Sequence, residues 1–362
     1  MLQNSLQKHP KKIKLFLQSI KSEETKRNYI IYLQKYLQFP GAIKIIAYSN
    51  PRKIEDHIIS FVISMKEQSK SYSAIHNYIS AVIKFYTIND VVLNSSKIYR
   101  FMPDNRKSNK DKAYDPEDIL KLVDTADQRM KAVILLLSST GMRIGAIPGL
   151  RLRNLERIEI ENFSIYKITV YENDKEEHCT YCTSECAAAI DNYLAMRKRY
   201  GEKFFPNSFL IREQFDIRDP FAISKCQKTV ANTLVNKIID LAIHSGIRKK
   251  EVLEEGKKHL GGSLRKEVAI CHGFRKFFTT KLINKKINPE IREMLLGHKI
   301  GLAGVYYKPT DDDFLEEYQK VIDELTIDPA NRLRRTVEIL KIEKSRIDKL
   351  EAKIQRLERR HR

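Results

Sequence analysis

Toward the end of the first third of the chain, Asn105-Arg-Lys-Ser-Asn-Lys-Asp-Lys112 contains no apolar side chain and four cations. A run of this kind has nothing to bury. It therefore reads as a linker that divides the 362 residues into units, each of which must build a core of its own. A new unit opens directly behind it: Asp115 is a good N-cap, Pro116 suits the first helical position, and Glu117 and Asp118 fill the first turn. The expected organisation is a helical unit over residues 1–104, a basic linker over 105–112, a second unit over 113–326 and a helical tail over 327–362.

The first unit reads as helical throughout. Ser22 can cap a helix that carries Glu23 and Glu24 in its first turn, where carboxylates meet the positive end of the helix dipole. Tyr29, Tyr32, Leu33, Tyr36 and Leu37 then share one face, and Ile75, Tyr78, Ile79, Val82 and Tyr86 repeat the pattern. Both aromatic stripes are expected to be core. The second unit is expected to be largely helical with one β-interruption. Tyr166, Ile168 and Val170 alternate at period two, Glu172-Asn173-Asp174 forms a turn, and His178 to Cys182 returns as the second strand. Helix resumes after Thr183 or Ser184 and runs to about Tyr200, with Gly201 available as a left-handed C-cap. In the tail, Leu333, Leu340, Ile347 and Ile354 recur every seven residues. Leu350 and Leu357 fill the partner position in the last two heptads, which Thr336 and Glu343 spoil in the first two. The tail is a short coiled coil or one long helix with an apolar stripe.

Lys and Arg number 66 against 46 Asp and Glu, a net charge of +20, which points to a polyanionic partner with nucleic acid the first candidate. No apolar run approaches the roughly 20 residues that span a bilayer, and the N-terminus lacks the apolar core of a signal peptide. Cys179, Cys182, Cys186, Cys226 and Cys271 are an odd, clustered set, which argues against a disulfide framework and for a reducing, intracellular setting. C-x2-C is a zinc spacing, but Cys179 and Cys182 fall on opposite faces of a strand and Cys186 begins a helix, so no metal site is expected.

Four short segments carry chemistry: Ser139-Thr-Gly-Met-Arg143, the turn around Lys175, His272-Gly-Phe-Arg275, and Leu296-Gly-His298 with Tyr307 nine residues beyond it. Each is weak alone, and their order and spacing give them weight. Together they resemble the tyrosine recombinases, and in texture the archaeal integrases. That family pairs an arginine in a Thr-Gly-x-Arg box with a hairpin lysine, His-x-x-Arg, Leu-Gly-His and a tyrosine nine residues on. The matching positions here are Arg143, Lys175, His272, Arg275, His298 and Tyr307.

The resemblance implies a mainly α, two-domain architecture: a helical core-binding domain, a mostly α catalytic domain with a small β-hairpin or sheet, and a C-terminal helical tail, closing as a clamp on double-stranded DNA. It implies cleavage and rejoining through a covalent 3′-phosphotyrosine, with a homotetramer on paired sites. Accessory DNA-bending proteins are left open. Arg106, Lys107, Lys110 and Lys112 of the linker are the candidate DNA-backbone contacts. The expected location is the cytoplasm, at the nucleoid.

The chemistry agrees with the resemblance. Two guanidinium forks can grip the non-bridging oxygens and stabilise the pentacoordinate phosphorane, a role for Arg143 and Arg275. His272 suits a general base for the phenol, His298 a hydrogen-bond donor to phosphate, and Lys175 a general acid for the leaving 5′ oxygen. The phosphotyrosine conserves the bond energy, so no cofactor is expected, and the sequence shows neither a Walker loop nor a paired acidic cluster for two metal ions.

Three points depart from or strain the pattern. Tyr306 adjoins Tyr307 but would point about 100° away on a helix. The acidic residue often found three positions after the first arginine is Ala146 here, so any carboxylate supporting Arg143 must come from elsewhere. Phe314, Leu315, Tyr318, Val321, Ile322 and Leu325 form an amphipathic stretch behind the tyrosine, which either docks on a neighbouring subunit, as the resemblance implies, or packs on its own domain. The rival readings are a type IB topoisomerase, which uses a similar residue set, and a catalytically silent DNA-binding protein.

Overall fold

A computed structural model describes residues 10–46, 50–105, 112–160, 162–225, 227–248, 269–301 and 303–360. They fall into two compact units, one within residues 1–110 and the other from 111 onward.

The first unit packs four main helices, α1 (Pro10–Gln18), α2 (Glu23–Leu37), α3 (Pro51–Glu67) and α4 (Tyr72–Ile88), with short turns at Ala42–Ile45 and Ser95–Tyr99. Side-chain caps start three of them: Ser22 accepts from the Thr25 amide, Asn50 from Lys53 and Ser71 from Ala74. The two aromatic stripes are core, as expected. Leu33, Tyr36 and Leu37 of α2 are buried against Ile75, Ile79, Val82 and Tyr86 of α4, while Tyr29, Tyr32 and Tyr78 are half-buried at the edge.

In the second unit, α5 (Pro116–Thr125) leads into α6 (Gln128–Thr140), and every residue from Ala132 to Thr140 is buried. A helix apolar on all sides must be wrapped on all sides. Around it lie α7 (Ser184–Arg199), α8 (Ala231–His244) and α9 (His272–Asn284), followed by α10 (Pro289–Leu295), α11 (Asp311–Gln319) and the long α12 (Pro329–Arg360). Thr183 caps α7 through the Cys186 amide, and Gly201 takes φ +96° just past its end, both where the sequence places them.

The β-interruption is larger than one hairpin. Three antiparallel strands pair in the order β1 (Leu155–Ile160), β2 (Phe163–Val170) and β3 (His178–Tyr181), with Leu155 opposite Ile168 and Val170 opposite His178. The sequence hid β1 because charge occupies half of Leu155-Glu-Arg-Ile-Glu-Ile160 and none of its residues is fully buried. It is a charged edge strand, tied down by Arg157 to Glu159 (3.0 Å) and to Asp191 of α7 (2.9 Å).

The stretch behind Tyr307 follows the second of its two readings. Tyr318, Val321, Ile322 and Leu325 are buried in the core of their own unit, and the Tyr318 hydroxyl donates to the Ser139 carbonyl at the end of α6 (2.9 Å). These side chains are committed in cis, so they are not the face that reaches a neighbouring subunit.

A deep polar cluster stands apart from the apolar core. Arg197 and Arg212, both essentially inaccessible, share the carboxylate of buried Glu202, each with a bond of 2.9 Å to it. Among the described residues, no helix is long and apolar enough to cross a membrane.

Candidate active site

Arg275 lies one turn into α9 and is only 6% exposed, because Phe274, Phe277 and Phe278 drive this part of the helix into the core. Its guanidinium donates to the Gly141 carbonyl (2.8 Å), to the Leu296 carbonyl (2.6 Å) and to Nε2 of His298 (2.7 Å). It thus joins the segment after α6, the segment after α10 and its own helix. Burial pushes its pKa down to about 10, and the nearby Arg143 adds to that fall, against a smaller opposing pull from Glu293 and Tyr171.

Arg143 stands two residues past the left-handed cap of α6. Gly141 takes φ +64°, and a Cβ there would strike the Phe278 ring, so the chain can turn only with glycine at this point. The Arg143 side chain is 46% exposed and lies 3.6 Å from Glu176 on the turn between β2 and β3. Ala146 is buried and offers no charge. The carboxylate near Arg143 therefore comes from the hairpin, far away in sequence.

His298 follows Gly297, whose φ of +67° ends α10. A Cβ on Gly297 would sit 2.5 Å from the ring of His178, so the histidine ring of β3 packs directly on this glycine. The proton on His298 can be placed by chemistry. A guanidinium only donates, so Nε2 accepts from Arg275, and Nδ1 carries the hydrogen that is shared with Glu293 (2.6 Å). To donate to a phosphate from Nε2, the ring would need a second proton, and Glu293 stands where its carboxylate would neutralise that charge. Burial opposes ionisation of Glu293, but bonds from His298 and Arg292 outweigh it and hold its carboxyl below the usual range. The sequence reading missed Glu293, which lies five positions before His298 on the preceding helix.

Lys175 is exposed on the β2–β3 turn, where Tyr171 and Asn173 both adopt left-handed backbone. It lines a cavity of about 330 Å³ together with His178, Met294, Gly297 and His298. The other lysine of the hairpin, Lys167, is held by Asp311 (2.6 Å). His178 also belongs to this wall. Its Nδ1 bonds the Glu176 carbonyl (2.9 Å), and burial, reinforced by Arg275 and Arg143, holds its pKa below the ordinary histidine value. In the sequence, His178 drew notice only as the start of the second strand. The sulfurs of Cys182 and Cys186 are buried in the core, whereas Cys179 lies beside Thr169 of the sheet.

His272 is exposed at the start of α9, one turn before Arg275. Tyr307 is half-buried just past the helical turn Ala303–Tyr306, while Tyr306 is 86% exposed. The Tyr307 phenol is harder to ionise than usual, first through burial and then through Asp313, Glu317 and Glu290. Among the described residues, no hydrogen bond joins Tyr307 to either arginine. The structure therefore gathers Arg143, Arg275 and His298, sets the Lys175 turn beside them, and leaves Tyr307 among acids. Arg106, Lys107 and Lys110 lie outside the described residues, and Lys112 is exposed at the start of the second unit.

Residues 112–312 match the phage integrase family. No curated protein matches the sequence. Among solved structures, the chain is similar to the Tn1549 transposon integrase in complex with a circular intermediate DNA, at 18% identity and TM-score 0.54, covering 85% of this chain and 99% of that one. It is similar to the XerH site-specific recombinase bound to its difH substrate before cleavage, at 16% identity and TM-score 0.52, covering 81% and 78%. A lambda integrase dimer bound to a COC′ core site matches at 13% identity and TM-score 0.52, covering 85% and 95%.

Proposed function

Because this chain belongs to the phage integrase family, and is a site-specific tyrosine recombinase that cleaves and rejoins DNA, we propose the following division of labour among its residues. Arg143 and Arg275 grip the scissile phosphate, Tyr307 attacks it, His272 takes the phenolic proton, and Lys175 gives a proton to the leaving 5′ oxygen. The phosphorus–oxygen bond to the 5′ side breaks as the bond to Tyr307 forms. A 5′-hydroxyl from another strand reverses the step, so neither ATP nor a metal ion enters the balance.

One observation carries this reading: buried Arg275 donates to His298 at 2.7 Å, and Arg143 lies close enough to add to the fall in its proton affinity that burial causes. Adjacent cations repel, and a phosphate between them would relieve both the repulsion and the lost hydration. The acids around Tyr307 work against its ionisation, so in this proposal the phenol leaves them for the arginines when DNA occupies the site.

The proposed partner is double-stranded DNA, engaged by a homotetramer on paired sites in the cytoplasm beside the nucleoid. The DNA held by the three similar structures supports the choice of partner, and the net charge of +20 fits it. Affinity with the archaeal integrases rests on sequence texture, and contact of the 105–112 linker with the DNA backbone rests on its charge.

The test is a covalent trap. Wild type, Tyr307→Phe and Tyr306→Phe are incubated with labelled DNA of the chain's own genetic element, nicked near the crossover. A protein–DNA adduct on a denaturing gel that is lost only with Tyr307→Phe is the expected result. Loss with Tyr306→Phe alone would move the nucleophile, and no adduct despite tight binding would overturn the assignment of roles.

A further inference from the structure

The tail helix α12 presents an apolar stripe that its own unit leaves bare. The body holds the helix near its root. Glu185 accepts from the amides of Ile327 (2.8 Å) and Asp328 (2.9 Å), Arg335 pairs with Asp323 (2.7 Å), and Asn162 reaches Glu338 (3.3 Å). Farther along, Leu340, Ile347, Leu350 and Ile354 are 54–60% exposed. The segment from Leu340 to Arg360 extends for about 30 Å at the α-helical rise. A stripe of that length in water calls for a partner.

The residues on and beside the stripe specify which partner. Ile347 and Ile354 occupy the first apolar position of the last two heptads, and Leu350 and Leu357 the second. A β-branched residue at the first with leucine at the second favours two parallel strands. The flanks agree. Arg346 and Lys353 precede the apolar positions on one side, and Glu351 and Glu358 follow on the other, each acid five residues after its base. In a parallel, in-register pair, Arg346 of one helix faces Glu351 of the second copy. In an antiparallel pair, base would face base and acid would face acid.

We propose that the occupant is a second copy of this chain, and that the tails pair as a parallel two-stranded coiled coil through the last two heptads. The contact is two-fold symmetric and joins two catalytic units before either meets DNA. Glu343 sits in the second apolar position of the preceding heptad, where two carboxylates would face each other, so pairing is confined to the distal end and is of modest strength.

The experiment is sedimentation velocity of the full chain without DNA, from low to high micromolar concentration. A monomer–dimer equilibrium is expected. Leu350→Glu combined with Ile354→Glu should abolish it while leaving thermal unfolding of the body and formation of the covalent adduct on nicked DNA unchanged. Arg346→Glu alone and Glu351→Arg alone should each weaken the dimer about tenfold, and the two together should restore it. A chain that stays monomeric at every concentration, or a dimer indifferent to Leu350→Glu with Ile354→Glu, overturns the proposal. Single charge reversals that tighten the dimer would show antiparallel pairing, and a trimer or tetramer would rule out two strands. These readings need no DNA cleavage, so they stand or fall apart from the roles assigned to Tyr307 and the arginines.

Discussion

Glu293 and His178 show how residues outside the expected set shape the ones inside it. Glu293 fixes the tautomer of His298 through a 2.6 Å bond, leaving Nε2 to face Arg275. Glu293→Gln keeps the shape and removes the charge. Strand cleavage should slow about tenfold, the equivalent of about 1.4 kcal/mol, with a changed pH–rate profile and an unaltered unfolding temperature. A profile that matches wild type would reduce Glu293 to packing.

His178 predicts a pH dependence of stability. Burial holds its folded pKa below the ordinary value, so as pH falls through about 6.5 the unfolded chain takes the proton first. The stability due to burying the neutral ring is complete above that pH and is lost below it, until the folded ring titrates as well. The unfolding temperature should therefore drop between about pH 7.5 and about pH 5.5, and His178→Gln should flatten that drop. A drop of the same size in the variant would assign it to other groups. Gly297→Ala should destabilise the unit by about 2 kcal/mol or more, since alanine meets both a left-handed backbone and the His178 ring. Denaturant unfolding would measure it.

At the level of elements, the parts legible in the sequence were those with a strong period or cap. The tyrosine stripes of α2 and α4, the Thr183 cap and the β2–β3 turn are visible because one face is apolar or one residue type is needed. β1 escaped because an edge strand rich in Glu and Arg has no apolar alternation to show. The site was legible only in part for a related reason. Arg143, Arg275 and His298 sit in recognisable boxes, whereas Glu176 reaches Arg143 from another element and Glu293 looks like any surface carboxylate of a helix. No spacing rule reveals a contact made by folding.

Glu202 is a further contact of that sort. It serves two buried arginines from the chain just after α7, so Glu202→Ala would remove the carboxylate they share and should cost about 3–5 kcal/mol. An unfolding free energy within 1 kcal/mol of wild type, roughly the scale of a surface change, would show that the arginines find other acceptors.

For the whole molecule, an excess of 20 positive charges makes DNA affinity a steep function of salt. The logarithm of the binding constant should fall linearly with the logarithm of salt concentration, losing at least about a hundredfold between about 50 and about 200 mM. A flat dependence in a filter-binding or fluorescence titration would show that phosphate contacts contribute little.

The bonds of Arg275 bear on how any mutant series of this protein should be interpreted. Arg143 and Arg275 look interchangeable in sequence, yet one is an exposed side chain on a loop and the other a brace across three segments, held by two main-chain carbonyls and a ring nitrogen. An inactive Arg143→Lys protein reports on the grip alone. An inactive Arg275→Lys protein has also lost the strut that keeps the Leu-Gly-His loop against the end of α6, and its silence confounds architecture with chemistry.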